Sequence, residues 1–370
     1  MNKKLLTFLA AAVGLMIVPL VAQYFGNAWV RIADIALLYV LLALGLNIVV
    51  GYAGLLDLGY VAFYAVGAYM FGLLASSQLT DNFAWIKALA PAGLHASVWV
   101  VIPLGAAIAG LFGVLLGAPT LKLRGDYLAI VTLGFGEIIR VFLNNLDAPV
   151  NITNGPKGVS GIDSIKIFAL DLGKPLDLGF VVLSSVTLYY YLFLILVVLS
   201  VLICYRLERS RIGRAWMAVR EDEVAAKAMG INTRNMKLLA FGMGATFGGV
   251  SGVMFASFQG FISPESFSLN ESIMIVAMVV LGGIGHLPGV IVGALLLAAL
   301  PEVLRYVASP LQDMTGGRLD AAILRQLLIA LAMIIIMLVR PRGLWPSPEH
   351  GKAAPVPTAD PASRRARSAA

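Results

Sequence analysis

Four polar side chains stand among long apolar runs and have chemistry to offer: Asp57, Asp126, Glu137 and His286. Asp57 lies in "GYAGLLDLGY", residues 51–60, where Gly51, Gly54 and Gly59 release the backbone from helical geometry. A carboxylate there either caps a turn or the next helix, or lines a pathway or gate. His286 sits in a similar break, "LGGIGHLPG", residues 281–289. A lone imidazole in a tight turn is either a hydrogen-bonded structural group or a proton carrier. Asp126 and Glu137 belong to "KLRGDYLAIVTLGFGEIIR", residues 122–140. Glu137 and Arg140 are three apart and share a helix face, so they form an internal pair or look into a cavity. These four are candidates for a pathway or gate. The chain has no H-E-x-x-H, no G-x-S-x-G and no suitably spaced carboxylate pair, which argues against an intramembrane enzyme.

A fifth feature is a charged interruption, "RSRIGRAWMAVREDEVAAKAMGINTRNMK", residues 209–237. At 100° per residue, Val224, Ala225, Ala228 and Met229 fall within an arc of about 140°. Glu221, Asp222 and Glu223 supply acidic groups at the N-terminal end, where they suit the helix dipole. Gly230 stands where a left-handed C-cap belongs. The pattern predicts a short helix over 221–230 with a small apolar face. That face fits the lipid boundary or a socket in another protein, and its alanine content favours the socket over the bulkier lipid-facing pattern.

The elements that hold these groups must be membrane helices. The chain of 370 residues is 59% hydrophobic and 13% charged, about half the charge of a soluble domain. Ten apolar segments approach the length needed to cross a bilayer, at about 5–22, 32–50, 58–76, 97–118, 127–145, 179–204, 236–259, 271–286, 289–308 and 321–339. The expected fold is therefore all-α, a polytopic transmembrane bundle of about ten spans. The first run resembles a signal peptide but is longer than a usual h-region and lacks a clean A-x-A site, so an uncleaved span is expected. Most of the 27 lysines and arginines fall on one side, including Lys122, Arg124, the cluster from Arg206 to Lys237, and Arg364 to Arg367. The positive-inside rule puts that side, and both termini, in the cytoplasm.

Two spans carry small residues at spacing four: Gly105, Ala109, Gly113, Gly117 and Gly244, Gly248, Gly252, Ala256. Such ladders admit a neighbouring backbone, either within this chain or from a second membrane subunit. The single cysteine, Cys204, lies in an apolar run and reads as a packing residue. Residues 146–178 form the longest outer loop, turn-like in composition. The sequence divides into a permease domain over 1–346, with a cytoplasmic loop at about 206–235, and a disordered tail over 347–370. The net charge of +7 is assigned to cytoplasmic loops and a tail facing anionic lipid, not to nucleic acid.

The stretch "EVAAKAMG", Glu223 to Gly230, resembles the E-A-A-x-x-x-G cytoplasmic loop of ABC importer permeases, with Val224 inserted before the alanines. Its neighbourhood, with "LRGDYLAIVTLGFGEIIR", "TNGPKGVSGI", "MVVLGGIGHLPGVIVGA" and "RPRGLWP", resembles the branched-chain amino acid permease family, in particular M-type subunits of the Liv system. The resemblance spans roughly residues 31–346. It implies ATP-binding cassette subunits docking on the 220–230 helix, a sister permease, and a periplasmic binding protein that delivers substrate, all in a bacterial inner membrane. It assigns Glu223, Ala225, Ala226 and Gly230 to coupling.

The absence of a G-x-x-x-x-G-K-[ST] loop agrees: no nucleotide or other cofactor is expected on this chain, and ATP is used by partners. The competing expectation is an ion-gradient-driven carrier built on Asp57 and His286. Within the ABC permease family, carriers of urea, other amides or other amino acids share the architecture.

Overall fold

The computed structural model describes residues 14–24, 26–90, 93–120, 123, 125–167, 170–177, 182–314, 321–340 and 343–345. The first part of the expected first span and the whole expected tail lie outside them. Helix α1 (Gly14–Tyr24) is followed by α2 (Asn27–Leu46), α3 (Val61–Leu74), two short helices α4 (Gln78–Asn82) and α5 (Ala84–Leu89), α6 (Val98–Thr120) and α7 (Asp126–Asn144). Then come α8 (Ser185–Glu208), α9 (Arg211–Glu221), α10 (Glu223–Ala228), α11 (Thr233–Gln259), α12 (Leu269–Gly282), α13 (Leu287–Met314) and α14 (Ala321–Val339).

Each of the ten expected segments coincides with a helix, in part for the first, but among the described residues only six are long and apolar enough to cross a membrane. The count of ten is therefore not carried by the structure. The first break shortens α3, α7 carries three charges, and the first and last segments are present among the described residues as shorter apolar helices, Gly14–Tyr24 and Ile329–Val339. Helix α3 has 14 residues, which rise only about 21 Å against a hydrocarbon core of about 30 Å. Helix α7 carries Asp126, Glu137 and Arg140 within its 19 residues. The chain is a multi-pass membrane protein all the same. Helices α6 and α8 present Trp99, Leu111, Leu115, Ile195, Leu199 and Leu202 outward, an apolar surface that only lipid or another membrane helix can cover.

The all-α expectation also needs amending. Among the described residues, six two-residue strands form three antiparallel pairs. One joins Val159–Ser160 in the 146–178 loop to Phe261–Ile262 after α11. The others are local hairpins, Lys166–Ile167 with Leu170–Asp171 and Leu176–Asp177 with Val182–Leu183.

Helix α11 is the spine, packed on α6, α3 and α2. The α6 ladder packs on a face of α11 made by Phe241, Ala245, Gly249 and Val253, and the α11 ladder on the other side of that helix packs on α2 and α3. A Cβ on Gly113 would stand 2.6 Å from that of Ala245, and one on Gly105 would stand 2.8 Å from a Val253 methyl. The opposite side of α11 meets α3, where a Cβ on Gly252 would lie 2.1 Å from the Tyr64 carbonyl oxygen. Both ladders thus serve packing within this chain. Cys204 is buried in the core, as its apolar setting predicts.

Helix α2 is buried over most of its length and ends in a π-helical turn, Asn47–Tyr52. From there residues 53–60 run without helix to the start of α3. At Leu58 the polar backbone is satisfied by side chains from two other helices. The Leu58 amide donates to Thr132 Oγ1 at 3.0 Å, and Ser272 Oγ donates to the Leu58 carbonyl. Irregular backbone inside a bundle is sustained only by such protein partners.

Candidate coupling and gating site

The predicted short helix exists as α10, and its ends are built as the sequence suggests. Asp222 caps it, accepting from the amides of Val224 at 2.7 Å and Ala225 at 3.0 Å. Gly230 takes φ +81° and closes the other end: the Ile231 amide reaches back to the Ala226 carbonyl, and the Gly230 amide to Lys227. This is a Schellman cap, which a residue with a Cβ adopts only under strain.

The helix has two unlike faces. Val224 is 68% exposed and Met229 83% exposed, with Ala225 and Ala228 exposed beside them. Ala226 is 3% exposed and packs inward against its own chain. Glu223 also turns inward. Its Oε2 accepts from Lys237 Nζ at 2.8 Å, and its Oε1 from Thr233 Oγ1 at 3.2 Å, with Lys227 Nζ at 3.1 Å. The hydrogen bond from Lys237, reinforced by Lys227, brings the Glu223 carboxyl down to about 2. Of the four residues assigned to coupling, Ala225 and Gly230 lie on the surface, whereas Glu223 and Ala226 anchor the helix from beneath.

Helix α9 is fixed to the same body. Trp216 is fully buried and its Nε1 donates to the Met236 carbonyl at 2.7 Å. From the last turn of α9, Arg220 reaches the π turn of α2, donating from Nη1 to the Gly51 carbonyl. The two breaks meet at that point: the Gly285 amide donates to Asn47 Oδ1 at 3.0 Å.

The four pathway candidates do not gather into one site. Asp57 is buried, accepts from the Gly59 amide at 2.9 Å through Oδ1, and leaves Oδ2 without a hydrogen bond beside a small cavity. That cavity is lined by Phe63, Leu116, Thr132, Phe135 and Phe241. Asp126 is exposed in the first turn of α7, a position favoured by the helix dipole. Glu137 pairs with Arg140, whose Nε lies 3.0 Å from Oε1, and Arg140 extends to Glu265 at 3.4 Å. The pair therefore ties α7 to the segment before α12. His286 Nδ1 lies 2.9 Å from the Trp345 carbonyl oxygen, and the Leu344 and Trp345 amides donate to Leu281 and Gly282. Residues 343–345 thus fold back over the second break.

Sequence reasoning passed over Arg220, Asn47 and Lys237, whose partners lie 169, 238 and 14 residues away. It also passed over Asp34, fully buried in α2 with neither carboxyl oxygen hydrogen-bonded. For Asp34 the signal was present, since an acid inside an apolar span is exceptional. Among the described residues no group of three or more His, Cys, Asp or Glu side chains is placed to hold a metal ion.

The sequence matches the family model described as branched-chain amino acid transport system, permease component, over residues 29–338. It is 41% identical over 329 residues to the high-affinity branched-chain amino acid transport system permease protein LivM of Escherichia coli K12, covering 86% of this chain and 70% of that one. It is 26% identical over 320 residues to LivH of Salmonella typhimurium, covering 85% and 93%. A probable LivM of Methanocaldococcus jannaschii is 26% identical over 329 residues, covering 84% and 90%. No solved structure matches. With a multi-pass helical bundle, a displayed helix at 223–228 and a family match over 29–338, the chain belongs to the branched-chain amino acid transport permeases, and is of their M type.

Proposed function

We propose that this chain is one membrane-spanning half of an ATP-driven importer that carries branched-chain, aliphatic amino acids. ATP-binding cassette subunits dock on the exposed face of α10, a second permease subunit completes the pathway, and a periplasmic binding protein delivers substrate. ATP is used by the partner subunits and no cofactor is held by this chain. The protein sits in a bacterial inner membrane with both termini in the cytoplasm.

The observation that carries this reading is the construction of α10. Val224, Ala225, Ala228 and Met229 are displayed outward, while Glu223 and Ala226 fix the helix to α11 from below. A short exposed helix with small side chains suits insertion into a partner, and its anchorage lets force applied there reach the bundle. The relatives' printed function, high-affinity transport of branched-chain amino acids, supports the substrate class.

The test is gentle solubilisation from native membranes, purification through this chain, and identification of what accompanies it, with ATP hydrolysis measured in the same sample. A co-purifying nucleotide-binding subunit whose retention falls on replacing Ala225 with a bulky residue supports the reading. A lone, ATP-independent protein that moves solute along an ion gradient in liposomes overturns it.

A further inference from the structure

We propose that Arg220 is the positioning residue through which movement of the α9–α10 segment reaches both membrane breaks. This rests on the importer reading above. The geometry begins with the segment itself. Trp216 donating to Met236, Lys237 donating to Glu223, and Thr233 donating to Glu223 bind α9, α10 and the start of α11 into one body. Arg220 is two residues before the Asp222 cap of α10, so it follows any displacement of that helix.

Its side chain then leaves this body and enters the junction of the two breaks. Nη1 donates to the Gly51 carbonyl in the π turn that ends α2. The stem passes over Gly54, where a Cβ would stand 2.7 Å from Arg220 Cγ. The guanidinium lies against Gly285, where a Cβ would stand 2.7 Å from Nη1. Three positions that lack side chains therefore make the slot that one arginine fills.

The junction is itself bolted. Asn47 Oδ1 accepts from the Gly285 amide, and Gly51 leaves the space for it, since a Cβ there would be 2.0 Å from that oxygen. Arg220 is thus bonded to one break, packed on the other, and covalently part of the docking segment. A charge-assisted bond to a carbonyl at a helix end is strong enough to transmit displacement, because that acceptor has no intrahelical donor. Arg220 is otherwise exposed, so its removal strands no buried charge. This separates transmission from folding.

The experiment uses the full chain assembled with its partner subunits in proteoliposomes, with uptake of radiolabelled leucine and ATP hydrolysis measured together. Arg220→Ala is expected to keep the partner subunits and basal hydrolysis while uptake per ATP falls at least tenfold. Arg220→Lys, which retains a donor of positive charge, is expected to recover more than half of that ratio. Asn47→Ala is expected to lower the ratio less, and to add little to Arg220→Ala.

An unchanged ratio in Arg220→Ala overturns the proposal, and so does loss of the nucleotide-binding subunit, which would make Arg220 a docking residue. If the alanine variant does not accumulate, Arg220→Gln keeps the stem over Gly54 and is read by the same ratio. Failure of the wild-type preparation to hydrolyse ATP or to bring down a nucleotide-binding subunit would count against the importer reading instead.

Discussion

Glu223 and Lys237 are joined across the Gly230 turn by a 2.8 Å ion pair, one partner in α10 and the other in the first half-turns of α11. Lys237 is 7% exposed, so the pair is largely withdrawn from water. A short helix of six residues has little stability of its own. Its position is set by this pair, by the inward packing of Ala226 and by the two caps.

Breaking the pair from one side should cost more than removing both partners. Glu223→Gln leaves an ammonium with reduced compensation and is expected to destabilise by about 1–3 kcal/mol. Adding Lys237→Met should restore part of that loss. Thermal unfolding in detergent measures both, and additive losses would contradict a direct pairing.

The pH dependence follows from the low Glu223 value. Its folded carboxyl titrates at about 2, below the usual 4.5, so the stabilisation is fully present above pH 4.5 and lost as pH falls toward 2. Hydrogen exchange of the Ala226 to Ala228 amides, corrected for intrinsic rates, should show constant protection from pH 7 to 5. Protection should decline only below that window, and in Glu223→Gln the decline should vanish.

Gly230 offers a test of backbone against side-chain effects. A Cβ there meets nothing within 4 Å, but φ is +81°. Gly230→Val is expected to cost about 1–2 kcal/mol of local stability through strain alone. Gly230→Asn, which tolerates the left-handed region, should cost less. Equal losses in hydrogen-exchange protection of α10 would point to a contact rather than to conformation.

Two glycines inside helices make opposite predictions. Gly67 of α3 faces the backbone of Gly249, and a Cβ would lie 2.0 Å from that carbonyl oxygen. Gly67→Ala should lower stability by about 1–3 kcal/mol, because neither backbone can withdraw. Gly134 of α7 has open space, so Gly134→Ala should raise stability by up to about 1 kcal/mol. Melting temperatures of the two variants in one detergent decide the matter.

The helices were legible because apolar runs and small-residue spacing are local properties. The face formed by Val224, Ala225, Ala228 and Met229 came from periodicity and is the exposed face of α10. The orientations of Glu223 and Ala226 were not legible, since a motif names residues without saying which side of the helix meets the chain. Nor was the role of Arg220, whose acceptor lies 169 residues earlier in a turn that has no periodic signal. The span count is not carried by the structure for a related reason. Hydropathy records that 58–76 is apolar, but the non-helical backbone of residues 53–60 delays α3 and shortens it to 14 residues.

The strand pair between Val159–Ser160 and Ile262–Phe261 gives α11 a second attachment, at the end opposite Lys237. A helix of 27 residues is a rod of about 40 Å. Held at one end by an ion pair and at the other by a two-rung ladder, and wedged by glycine contacts along its middle, it makes the α10 turn and the 146–178 loop two ends of one continuous strut.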